Sequence, residues 1–164
     1  MKVLITGGIK SGKSSYALKI AGGFQGDKTF IATATAFDEE MKRRIEIHRE
    51  ERDSGFRTIE EPLYIQKAKG TNIVLDCLTM WMNNLFFNGI EDQWKEILTF
   101  FLNNLPENAV IVTNEVGLGN IPPDRISRKY NEYLAAANKL TAGKVDRVIM
   151  MISGIPMIVK DRKE

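Results

Sequence analysis

Val3-Leu4-Ile5-Thr6-Gly7-Gly8-Ile9-Lys10-Ser11-Gly12-Lys13-Ser14 stands at the head of the chain, and its reading decides the fold. Val3-Leu4-Ile5 is a short apolar run fit for a buried parallel strand. Gly7 to Ser14 then matches G-x-x-x-x-G-K-[ST], and Ser15 to Ala21 reads as a helix. Gly7 and Gly12 let the backbone turn without a Cβ penalty. Successive N–H groups along Gly7, Gly8, Ile9, Lys10, Ser11 and Gly12 can then point at phosphate oxygens. The helix N-terminus adds partial positive charge. Lys13 suits neutralisation of β- and γ-phosphates, and the Ser14 hydroxyl suits one site on Mg²⁺. The bland alternative is a glycine turn that happens to precede a lysine. The flanking strand and helix weigh against it.

Working outward, Gly22-Gly23 and Gly26-Asp27 mark a turn, and Thr29 to Thr33 is a β-rich run. A polar helix is expected from about Asp38 to Arg52, ended by Ser54-Gly55, with a short strand at Phe56 to Ile59. Glu61-Pro62 predicts another helical piece, ending near Gly70. Ile73 to Asp76 reads as a buried strand closed by a carboxylate. Thr79 to Phe87 and Glu91 to Leu105 read as helices broken by Asn88-Gly89. Ala109 to Asn114 reads as an apolar strand, and Pro122-Pro123-Asp124 opens a helix running to about Ala142. Val145 to Ile152 is a further strand, and Met157-Ile158-Val159 an edge strand. Apolar strands alternating with helices predict an α/β fold of the P-loop NTPase kind. Its mainly parallel sheet carries helices on both faces, three layers in one domain over residues 1–164. Ligands of such sheets bind at the carboxyl ends of the strands.

Composition narrows the class. The 164 residues carry 43% hydrophobic and 27% charged side chains, ordinary for a globular domain. A formal charge of +2, with basic residues scattered among acids, argues against nucleic acid as a partner. Cys77 is the single cysteine, so no internal disulfide forms and a reducing, cytoplasmic setting is expected. No apolar run is long enough for a membrane span.

Three further positions invite chemistry. Asp76 ends an apolar strand and suits Mg²⁺ ligation, directly or through water; a helix N-cap or turn role is the alternative. Glu115 follows another strand and precedes the glycine-rich Val116-Gly117-Leu118-Gly119-Asn120, so it is either an accessory of the site or a solvated loop carboxylate. His48 is the only histidine. On a helix it shares a face with Arg44 and Arg52, beside Met41 and Ile45. Neighbouring cations keep an imidazole neutral and nucleophilic and can hold phosphate. The same pattern also fits a half-buried histidine on an amphipathic helix.

Read together, the segments resemble the bifunctional adenosylcobinamide kinase / adenosylcobinamide-phosphate guanylyltransferase family nearly end to end. The resemblance lies in Thr6 to Ser14, in Ile31-Ala32-Thr33-Ala34, and in Asp38-Glu39-Glu40-Met41 leading through Arg44-Ile45 to His48-Arg49. It continues in Arg57 to Pro62, Asp76-Cys77-Leu78-Thr79 with Asn84-Leu85, Val112-Thr113-Asn114-Glu115-Val116-Gly117, and Ser153-Gly154-Ile155. Ser15 departs from it, standing where relatives often carry a larger residue.

The resemblance implies that His48 attacks the α-phosphate of GTP, expels pyrophosphate, and passes GMP to adenosylcobinamide phosphate. It also implies phosphorylation of the aminopropanol hydroxyl of adenosylcobinamide from ATP or GTP at the same loop. His48 and Lys13 are then the catalytic residues. Arg49, Glu50, Glu51 and Arg52 beside the histidine join the nucleotide site, with Arg44 as an accessory. Thr33, Ala34 and Thr35 would contact nucleotide through backbone and hydroxyl groups. Guanine presents N1–H and N2–H₂ donors, so a carboxylate reader is expected, Glu60 or Glu51. Mg²⁺ would sit on Ser14 and Asp76. A homo-oligomer is implied, a trimer being the assembly in view, with nucleotide and corrinoid as partners.

Two other readings stay open on the residues alone. One is a small-metabolite kinase in which His48 is structural. The other is a GTPase-type switch, whose base-reading segment would have to be Asn138-Lys139-Leu140-Thr141, which lacks the usual aspartate.

Overall fold

The computed structural model describes residues 1–36, 39–40, 42–43, 46, 55–119 and 121–162. Among these, β1 (Lys2–Gly7), β2 (Lys28–Ala32), β3 (Phe56–Glu60), β4 (Ile73–Asp76), β5 (Ala109–Val112), β6 (Arg147–Ile152) and β7 (Ile155–Asp161) form one sheet. Its order is β3-β2-β4-β5-β1-β6-β7. Every pairing is parallel except that of β6 with β7, which is antiparallel. The parallel register brings the carboxyl ends of β1 to β6 to one edge.

Strand side chains alternate between two cores, as the pleat requires. Val3 and Ile5 of β1 face α1 (Lys13–Gly22) together with Val74, Val110, Val112, Ile149 and Met151. Leu4, Leu75, Ile111 and Val148 face the other way, toward α2 (Leu78–Phe87), α3 (Trp94–Asn103) and α4 (Arg125–Lys144). Helix α1 buries Lys13, Ala17 and Ala21, four apart on one stripe. The small alanines let it lie close to the sheet. The three-layer expectation is met, with the helices divided unequally between the faces.

The α4 start is as read from Pro122-Pro123-Asp124: Asp124 is the N-cap and its carboxylate accepts from Ser127 N–H at 2.8 Å. Edge strand β7 leaves Ile155, Met157, Ile158 and Val159 largely exposed.

Two elements differ from expectation. The helix expected between Glu61 and Gly70 is only a 3₁₀ turn, Ile65–Lys67. Glu61 Oε1 accepts from the N–H groups of Leu63 and Tyr64, and Trp81 Nε1 donates to Leu63 O. The capped N–H groups suit a helix start, but the Leu63 carbonyl, which a longer helix would use, is held by Trp81. Strand β5 stops at Val112, two residues before its expected end. Thr113 N–H still bonds Ile5 O at 3.0 Å, while the Thr113 hydroxyl and the Asn114 backbone enter a buried polar network. The helix expected over Asp38 to Arg52 lies largely outside the described residues; Glu39, Glu40, Lys42, Arg43 and Glu46 within it are helical.

Candidate functional site

The 7–14 loop turns as its glycines require. Gly7 has φ +144°, and a Cβ built there would stand 2.4 Å from Met151 O on β6. Only glycine fits that approach. Gly12 is the left-handed N-cap of α1 at φ 85°. Gly8 and Ile9 are exposed, Lys10 has a positive φ of 54°, and Ser11 is buried. The loop and the first turn of α1 thus offer backbone N–H groups at a helix N-terminus, the physical basis of anion binding.

Lys13 is 8% exposed. Its Nζ donates to Gly8 O and lies 3.5 Å from Ser11 Oγ. Burial pulls its pKa below the ordinary lysine value, against the opposing pull of Cys77 and Asp76. Ser14 Oγ donates to Asp76 Oδ1 at 3.2 Å. That pair is a hard-oxygen donor set, and its spacing is close to the about 2.9 Å between adjacent ligands of octahedral Mg²⁺. The residues fit the metal, with phosphate oxygens and water needed to complete it. Among the described residues no group of three or more His, Cys, Asp or Glu could hold a metal by itself.

Asp76 is followed by a cis peptide bond to Cys77. The Cys77 thiol is pushed up by burial first and then by the Asp76 charge, against hydrogen bonds from Met80 and Thr79. Thr33 clasps this corner. It is fully buried, its N–H donates to Asp76 O, and its hydroxyl both accepts from Cys77 N–H and donates to Cys77 O at 2.8 Å. Its own carbonyl accepts from Asn84 Nδ2 at 2.6 Å. Thr33 therefore shapes the site from beneath, while Ala34 and Thr35 lie nearer the surface.

Glu60 closes β3 in register with Ala32 and is exposed. Its strand stands four places from β1, about 19 Å at the usual strand spacing. Glu115 stands beside the loop: its N–H donates to Gly7 O at 3.1 Å, and its Oε1 accepts from Gly117 N–H at 2.8 Å. His48, Arg44, Arg49, Glu50, Glu51 and Arg52 lie outside the described residues. The crossover that carries them leaves from Thr33 and returns at β3.

A buried network that sequence reasoning missed fixes the β5 end. Thr113 Oγ1 donates to Asn138 Oδ1 at 2.8 Å, and Asn138 Nδ2 donates to Asn114 O at 3.0 Å. Asn114 N–H donates to Thr79 Oγ1 at 2.7 Å, and Tyr130 hydroxyl donates to Thr79 O. The signal available was a run of polar side chains facing apolar surroundings on α2 and α4. Asn138 spends its amide on this network, which removes the switch reading's base-reading segment.

A parallel sheet with a glycine phosphate loop on β1 and a Ser–Asp pair beyond it defines a P-loop nucleotide-binding protein. Solved structures share the fold. A KaiC-like protein from Pyrococcus horikoshii superposes with TM-score 0.56 at 16% identity, over 99% of this chain and 80% of that one. A second protein of that organism gives 0.53 at 12% identity, over 99% and 87%.

Residues 3–159 match the family model described as cobinamide kinase / cobinamide phosphate guanyltransferase, and the chain belongs to that family. It is 37% identical to the bifunctional adenosylcobalamin biosynthesis protein CobP of Pseudomonas aeruginosa, over 98% of both chains. It is 30% and 32% identical to proteins called CobU in Escherichia coli and Salmonella typhimurium, over 98% of this chain and all of each relative. The family's class is a kinase joined to a nucleotidyltransferase in cobalamin biosynthesis.

Proposed function

We propose that this chain phosphorylates adenosylcobinamide with ATP or GTP. It then transfers GMP from GTP, through a guanylyl adduct on His48, to adenosylcobinamide phosphate. The observation that carries the reading is the root of the crossover bearing His48: Thr33 is hydrogen-bonded to both Asp76 and Cys77. A GTP with its terminal phosphates in the loop and its base toward Glu60 lies across the ends of β5, β4 and β2. Its α-phosphate, next to the loop-held pair, then lies toward Asp76, whose carbonyl accepts from Thr33 at the start of the crossover that carries His48.

In the transfer half, the His48 imidazole nitrogen bonds to the α-phosphorus and pyrophosphate leaves. The corrinoid phosphate oxygen then displaces the imidazole. Lys13 and the loop N–H groups hold the departing β- and γ-phosphates, so charge stabilisation does most of the catalytic work. Magnesium on Ser14 and Asp76 would supply further neutralisation of phosphate charge. Glu60 or Glu51 accepts from guanine, with Arg44, Arg49, Glu50 and Arg52 flanking the histidine. A homo-oligomer, a trimer in expectation, completes the corrinoid pocket in a cytoplasmic enzyme. Among the described residues no helix is long and apolar enough to cross a membrane.

The test is incubation with α-labelled GTP. The expected result is an acid-labile protein label that His48→Ala abolishes while phosphorylation of adenosylcobinamide survives. Absence of label in the wild type, with phosphorylation intact, selects the small-metabolite kinase reading.

A further inference from the structure

We propose that Glu115 is the carboxylate that takes the proton from the acceptor hydroxyl in the phosphorylation half, a role that rests on the kinase reading above. Sheet order provides the first support. Strand β5 lies between β1, which carries the phosphate loop, and β4, which ends in Asp76. The residues following β5 therefore emerge between the phosphate cradle and the metal-binding carboxylate. Glu115 is tied directly to the cradle through its N–H on Gly7 O.

The carboxylate is aimed, not left to wander. Gly117 N–H holds Oε1, and a Cβ at Gly117 would stand 2.9 Å from that oxygen, so glycine leaves it room. The Thr79–Thr113–Asn138 network fixes the two residues before it. The other oxygen of the half-exposed side chain takes no part in the Gly117 bond.

Among the described residues, the carboxylates that end β3 and β4 or follow them are spoken for or remote. Asp76 receives the Ser14 hydroxyl, and the residue after it is Cys77, so β4 offers no second acid. Glu61 is turned onto the N–H groups of Leu63 and Tyr64. Glu60 lies at the far side of β2 and β4.

In the step, the acceptor hydroxyl oxygen bonds to the γ-phosphorus. The bond from that phosphorus to the β,γ-bridging oxygen breaks, and the nucleoside diphosphate leaves with the electron pair. The hydroxyl proton passes to the other Glu115 oxygen and from there to water. A general base of this kind contributes about 10²–10⁴-fold.

The experiment compares wild type with Glu115→Gln, which keeps an oxygen for Gly117 N–H. Three readouts are taken: phosphorylation of adenosylcobinamide against pH, labelling by α-labelled GTP, and thermal unfolding. Expected is a loss of kcat for phosphorylation of about 10²-fold or more. The acidic limb of its pH profile should vanish, with labelling and melting temperature unchanged. Unchanged phosphorylation overturns the proposal, as does an equal fall in both activities. A wild type that labels but never phosphorylates adenosylcobinamide fails the kinase reading itself, and the proposal with it.

Discussion

Ser14 and Asp76 meet at 3.2 Å across a strand that belongs to neither. Ser14 follows β1 and Asp76 closes β4, while β5 runs between them. Ile5, Val112 and Asp76 stand level in the register, so the α1 start must reach over the end of β5 to find the carboxylate. The reach passes the end of β5 at Val112, and the next residue still bonds β1 through Thr113 N–H on Ile5 O.

Asp76→Asn keeps the acceptor for Ser14 but removes the charge that a divalent cation needs. Both activities should fall about 10²–10³-fold, the scale for removing one preorganised electrostatic group from an active site. Calorimetric titration should show nucleotide affinity losing its dependence on Mg²⁺. Retention of that dependence would place the metal elsewhere.

Gly7→Ala and Gly8→Ala should behave in opposite ways. At position 7 the new Cβ meets Met151 O and the φ of +144° is hostile to a side chain. A cost of about 1–3 kcal/mol is expected, with loss of nucleotide binding. At position 8 no atom lies within 4 Å of the new Cβ. Thermal melts of the two variants check the contrast.

Asn84 is 2% exposed and donates to both Thr33 O and Pro62 O. Asn84→Ala leaves the buried Thr33 carbonyl and the half-buried Pro62 carbonyl without that partner. Urea unfolding should show a loss of about 2–4 kcal/mol, from a cost near 1–3 kcal/mol for each group left unsatisfied. The exposed neighbour Asn83→Ala should be nearly silent.

Lys13 has its pKa lowered, by burial above all. Between that lowered value and 10.5 the unfolded chain binds more protons than the folded one. Unfolding free energy therefore rises with pH across this window, relative to Lys13→Met. Nucleotide affinity moves the other way, because deprotonation removes the charge facing phosphate. Titrations from pH 7 to 10 should show affinity falling before an ordinary lysine would titrate. Lys13→Arg should lose less with pH, since guanidinium stays charged.

How far the sequence could be read depended on the range of the forces involved. The loop was legible because its requirements are local: two glycines, a lysine and a hydroxyl between a strand and a helix. The strands were legible as apolar runs. Thr113 and Asn114 read as a continuation of β5 because β-branched and apolar neighbours precede them. Their true partners, Thr79 and Asn138, are dozens of residues away and carry no periodic signal. Glu61-Pro62 looked like a helix start for a sound reason, since Glu61 does cap two N–H groups. Trp81 and Asn84 then bind the carbonyls of Leu63 and Pro62, and a longer helix has no room to form. Glu115 was legible as a carboxylate but not as one tied to the loop through Gly7 O, because strand order cannot be read from spacing.

The Met151 carbonyl fills the space that a side chain at position 7 would need. The first loop of the chain is thus moulded against one of its last strands. On the ribosome, residues 1–22 emerge before β6, so Gly7 lacks its Met151 neighbour until β6 pairs with β1. Nucleotide can therefore act as a ligand of the completed sheet, and not as a template for the nascent one.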